Sequence, residues 1–201
     1  AGADSLPADV CKAMSTIYIL LTRSKTLLSR TIHTLTGDSF THVSLAFDAR
    51  LESLCSFSRI VSILPLPSGL MHERLDRGYF GGHPHIRCAL YALEVPHDAF
   101  CAARLRVTQM LAVRSRYHYS VRGLFLCRMG IREERPHYYF CSQFVAHVLE
   151  ESGALSLPKP PSLMRPQDFA SLPGLFPCFC GELCELKQLV SSRPARCVHP
   201  L

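Results

Sequence analysis

The sequence predicts an α+β fold in which an antiparallel sheet packs against helices. Three observations carry this. Runs of strand length, apolar or alternating, recur at 17–21, 42–47, 88–95 and 177–183. Helical periodicity holds over 98–113 and 140–152. A hairpin occupies the middle of the chain, in place of the strict strand–helix alternation of a parallel sheet.

Ile17-Tyr18-Ile19-Leu20-Leu21 is an unbroken run of β-formers and reads as a buried strand. Ser24 to Leu35 places Leu27, Leu28, Ile32 and Leu35 at helical spacing between Lys25, Arg30 and His33, and ends near Gly37-Asp38. In His42-Val43-Ser44-Leu45-Ala46-Phe47, alternation sets Val43, Leu45 and Phe47 on one face and His42, Ser44 and Ala46 on a smaller, more polar one. Asp48-Ala49-Arg50 is a turn, and Leu51 to Arg59 is the returning arm of a hairpin. Pro65 to Pro84, dense in Pro and Gly, reads as a long irregular stretch of the kind that lines or covers a site. Cys88 to Val95 is a strand and Asp98 to Val113 a helix. Tyr117 to Leu126 is an aromatic loop or short element. Phe140 to Ser152 is a helix stopped by Gly153. Leu157 to Pro166, with four prolines, is a rigid loop, and Pro177 to Leu183 a last strand. One domain over 15–185 is expected, with a dispensable tail over 186–201.

Composition removes several classes. With 201 residues, 48% hydrophobic and 19% charged, the chain can build a core and is not generally disordered. Its longest apolar run, Cys88 to Leu93, is closed by Arg87 and Glu94, far short of the ~20 residues of a membrane-spanning helix. The net charge of +6 is mild. Without zinc-finger spacing, an aromatic RNA-binding strand or a basic block, it describes a solvated surface and no nucleic-acid partner. The segment from Ala1 to Met14 carries Asp4 and Asp9 and no long apolar core, unlike a secretory signal. Several of the ten cysteines lie in apolar periodic segments, where a free thiol packs as a small hydrophobe. A chain of this length needs no disulfide staples, so a reducing, cytoplasmic location is expected.

The chemistry concentrates at Tyr138-Tyr139-Phe140-Cys141-Ser142-Gln143-Phe144-Val145. Apolar positions 144, 145, 148 and 149 put Cys141 in the first turn of the helix, on its inward face. A helix N-terminus carries partial positive charge and free N–H groups. Both stabilise a thiolate, and the N–H groups can hold a developing oxyanion. A thiol nucleophile also needs a base, and His42 opens a strand whose same-face neighbours are small. The imidazole needs an orienting partner, for which the hairpin arm offers Glu52, Ser53 and Ser56.

Thr41-His42-Val43-Ser44-Leu45-Ala46-Phe47-Asp48, followed far downstream by Phe140-Cys141-Ser142-Gln143-Phe144-Val145, resembles the circularly permuted branch of the NlpC-type papain-like superfamily. That branch includes YiiX-like bacterial proteins and relatives of lecithin:retinol acyltransferase, and in it the His strand precedes the Cys helix. The segment from Ile17 to Arg30 resembles the opening strand and helix of uncharacterised bacterial members. Ser56-Phe57-Ser58-Arg59 and Arg165-Pro166-Gln167-Asp168-Phe169 are similar to further elements of the same group. The resemblance implies a permuted papain-like fold with Cys141 as nucleophile, His42 as general base and Ser56 in the third position. Glu52 would replace Ser56 if the hairpin register differs. The implied activity is that of a cysteine hydrolase or acyltransferase working through a thioester on a peptide, isopeptide or lipid substrate. The alternative is an idle module that binds a peptide or lipid in the same cleft.

No cofactor or metal is expected. Cys178-x-Cys180-x3-Cys184, with Cys197 and His199 beyond, is a poor zinc knuckle, because Cys-x-Cys sends both side chains to one face of a strand. His83, His85 and His147 are expected to face solvent. Peripheral membrane contact would fall to the helix over 24–35, with Lys25 and Arg30 towards an anionic surface.

Overall fold

The computed structural model describes residues 13–23, 38–59 and 68–192. The helix expected over 24–35 therefore lies outside the described residues, as do Cys197 and His199. The fold is α+β. Six strands, β1 (Met14–Thr22), β2 (His42–Ala46), β3 (Cys55–Arg59), β4 (Ser68–His72), β5 (Arg87–Pro96) and β8 (Leu175–Glu182), form one sheet in the order β4-β3-β2-β1-β5-β8. Every neighbouring pair in it is antiparallel. Two short strands, β6 (His118–Tyr119) and β7 (Tyr138–Tyr139), pair in parallel beside it.

The sheet is covered on both faces, which is why β1 reads as a continuous apolar run rather than an alternation. Ile17, Ile19 and Leu21 enter one core with Val43, Leu45, Phe57 and Leu93. Leu20 enters a second core with Ala46, Leu54 and Leu90. The first face carries α2 (His97–Ala112) and α4 (Cys141–Glu151). Ala99, Ala103, Val107 and Met110 turn the first of these helices inward. The second face carries the short α1 (Gly78–Gly82), through Phe80, and α5 (Leu183–Ser191).

Helix α4 is buried almost all round, from Cys141 to Ala146 and again at Val148 and Leu149. The Pro161–Leu163 turn packs against it, so its polar residues Ser142 and Gln143 are inside as well. Gly153 ends it with a left-handed φ of 70°, a conformation that costs glycine no Cβ clash.

Two expectations are corrected. The stretch expected to be irregular, Pro65 to Pro84, holds β4 and α1 within its described part. β4 is anchored by the pairing of Cys55 with His72 and Ser56 with Met71. The aromatic loop or short element expected after Tyr117 is the short helix α3 (Val121–Arg128), capped by Ser120 Oγ accepting from Gly123 N at 3.0 Å. The expected tail begins inside α5, where Leu186 and Val190 are buried against the sheet. α4 lies over the Val43 and Leu45 face of β2, while Ala46 enters the second core.

Candidate active site

Cys141 is the first residue of α4, after Phe140 in extended conformation (φ −107°, ψ 169°). Its N–H and those of Ser142 and Gln143 precede the first intrahelical bond, from Phe144 N to Phe140 O at 3.0 Å. Cys141 is 4% exposed. His42 opens β2 opposite Thr22 of β1, at the end of the sheet where α4 begins. The two side chains interact, Cys141 favouring the protonated form of the His42 ring, so the structure brings together the expected nucleophile and base.

The approach to His42 is braced by residues far along the chain. Gln167 Oε1 accepts from Ser39 N at 3.0 Å and from Phe40 N at 3.3 Å. Buried Asp38 pairs with Arg128 at 2.6 Å and with Arg165 at 3.4 Å. Asp168 holds Lys159 at 2.6 Å and accepts from Arg165 N at 2.7 Å. The Arg165-Pro166-Gln167-Asp168-Phe169 segment singled out in the sequence thus ties the chain leading into β2 to the loop after α4, with Phe169 buried in the core.

The third group is neither of those expected. His42 Nε2 lies 3.2 Å from Glu73 Oε1, with the two side chains only 14% and 11% exposed. Ser44 Oγ donates to Glu73 Oε2 at 2.5 Å and stands 3.3 Å from His42 Nε2. Glu73 follows β4 and is pinned by its own N–H to Leu54 O at 2.7 Å. Ser56 is buried beside the Glu73 carboxylate and helps hold its charge, but its hydroxyl reaches no partner with sound hydrogen-bond geometry. Glu52 is exposed and pairs with Arg50 at 3.4 Å. Ser53 accepts from Phe47 N and donates to Asp48 in the hairpin turn. The sequence signal for Glu73 was a short alternation, Gly69-Leu70-Met71-His72, ending on an acid and hidden in a Pro- and Gly-rich neighbourhood.

Burial pushes the His42 pKa down, but the Glu73 charge and hydrogen bonds to Cys141 and Glu73 outweigh it, leaving it well above the ordinary 6.5. For Glu73, burial raises the pKa while the charge and hydrogen bond of His42, with Ser44 and Ser56, bring it below 4.5. The site sets a buried carboxylate, an imidazole and a thiol side by side, and the carboxylate favours the protonated ring.

His147 is half-buried rather than solvent-facing, 3.1 Å from Glu151, and burial lowers its pKa. A cavity of about 770 Å³ opens beside α4 between Tyr139, Gln143, His147 and Lys159. Neither Cys141 nor His42 lines it. The eight described cysteines are all free. Among the described residues no helix is long and apolar enough to cross a membrane. Comparison with protein-family models, with curated proteins and with solved structures returned no match.

Proposed function

We propose that this chain is a permuted papain-like cysteine hydrolase or acyltransferase that cleaves an amide or ester through a thioester on Cys141. The observation that carries the reading is the imidazole of His42, in reach of a thiol at a helix N-terminus and of a buried carboxylate. Nε2 is engaged by Glu73 and Ser44, which leaves Nδ1 for the thiol. His42 takes the proton from Cys141 Sγ, and the thiolate attacks the substrate carbonyl carbon. The backbone N–H groups of the first turn of α4 are placed to receive the oxyanion. His42 returns the proton to the leaving amine or alcohol, and a thioester forms. Water, or another nucleophile deprotonated by His42, then releases the acyl group and restores the thiol. Glu73 keeps the ring oriented and stabilises its positive charge, as the uncharged Ser56 could not. Peptide, isopeptide and lipid carbonyls are the substrate classes that the resemblance supplies.

The test is the rate of alkylation of each cysteine against pH, mapped by peptide mass spectrometry in the native chain and in His42→Ala. Cys141 is expected to label faster than the other described thiols, with a profile that shifts in His42→Ala. Labelling of Cys141 as slow as that of Cys55 and Cys88, and unchanged by His42→Ala, would leave an idle peptide- or lipid-binding module.

A further inference from the structure

We propose that His85, Glu182 and Cys184 form a site for a zinc-type divalent cation, on the opposite face of the sheet from α4. Their ligand atoms converge. His85 Nδ1 stands 2.8 Å from Glu182 Oε2, and Cys184 Sγ stands 3.6 Å from that oxygen and 3.9 Å from that nitrogen. All three atoms lie within 4.8 Å of one another. Around a tetrahedral zinc with its usual N, O and S bond lengths, ligand atoms are about 3.3–3.6 Å apart. The observed separations need adjusting by only about half an ångström to reach that geometry.

One alternative use of these groups is a second relay of thiol, imidazole and carboxylate. That would require Cys184 and Glu182 on opposite ring nitrogens. Both lie against Nδ1, which is the convergence a shared cation requires.

The backbone holds the three in place. The loop before β5 is fastened to the start of α5 by Leu183 N donating to Ile86 O at 3.0 Å and Cys184 N to Pro84 O at 2.9 Å. Glu182 closes β8 opposite Arg87 and caps α5. Glu185 Oε2 accepts from Glu182 N at 2.9 Å. These bonds hold the backbone of the two segments side by side before any ion arrives.

The donor set selects the ion. One imidazole, one thiolate and one carboxylate suit zinc and its spectroscopic substitute cobalt, whereas calcium and magnesium take oxygen ligands. The His85 and Glu182 side chains are 70% and 48% exposed, so water can fill a fourth position. Binding releases the Cys184 thiol proton to solvent and involves no change of oxidation state. The ion would cross-link the loop at Pro84–Ile86 to the junction of β8 and α5. The sequence motif Cys178-x-Cys180-x3-Cys184 contributes only its last cysteine. Glu182 lies within the same segment, and His85 comes from 97 residues away in the chain.

Metal-stripped Cys141→Ala protein, titrated with Co²⁺, tests the site free of the thiol proposed for catalysis. One equivalent is expected to bind with a thiolate-to-cobalt charge-transfer band in the near ultraviolet, displaced by Zn²⁺. Cys184→Ser should abolish the band. His85→Ala should weaken binding about tenfold or more, and Cys178→Ser should change neither. Absence of stoichiometric binding, or a band that survives Cys184→Ser, overturns the site.

Discussion

The imidazole of His42 sits between a carboxylate and a thiol, and each acts on its protonation. Replacing Glu73 by Gln removes the charge that opposes burial, so the His42 pKa should fall to or below 6.5, followed by the ring C–H resonances in an NMR titration. The same substitution should slow turnover of any substrate found by about 10²- to 10⁴-fold, because the base loses the group that orients it and stabilises its charge. Ser56→Ala should leave the imidazole still protonated well above 6.5, because Ser56 acts only through Glu73. A Ser56→Ala effect as large as that of Glu73→Gln would restore Ser56 to the third position. Burial pushes the Cys55 and Cys88 thiols up to about 12, so they stay protonated near neutral pH and provide the slow references for labelling. Cys141 and His42 were legible because each stands at the start of a periodic segment. Glu73 was not, because it lies 31 residues from His42 and reaches it only through the pairing of β3 with β4.

At the scale of elements, the strands nearest the middle of the sheet were the clearest in the sequence. β1 and β5 are apolar on both faces since helices cover both, and helix α4 shows its inward positions plainly. The weak readings fell where local pattern is poor: β4 among prolines and glycines, α3 after an aromatic stretch, and α5 beyond the last strand. Helix α5 supplies a clear measurement. Leu186 is fully buried against Leu90 and its neighbours in the second core. Leu186→Ala should therefore cost about 2–5 kcal/mol in a urea titration, the range for emptying a buried leucine site, whereas a dispensable tail would show no change. Ser120→Ala should cost about 0.5–2 kcal/mol, by removing the cap that accepts from Gly123 N.

For the whole molecule, the His42–Glu73 pair links folding to pH at both ends. A histidine whose pKa is raised on folding contributes stability that is fully present below its ordinary 6.5 and is lost as pH rises through the folded value. A glutamate whose pKa is lowered contributes stability present above its ordinary 4.5 and lost as pH falls through the folded value. Asp168, held down by Lys159 and Arg165 against burial, adds to the acid side. The melting temperature should therefore decline on both sides of a plateau between these ordinary values, and Glu73→Gln should flatten the alkaline decline. A melting temperature that keeps its alkaline decline in Glu73→Gln would assign that limb to other groups. The sequence by itself determined the α+β class, the central strands, the buried helix and the candidate pair Cys141 and His42, since each is written in the spacing of nearby residues. Only the tertiary structure decided which carboxylate meets His42, that residues 183–191 pack as a helix, and that His85 meets Glu182 and Cys184. Those contacts join residues far apart in the chain, and sheet register, which local spacing does not encode, sets them.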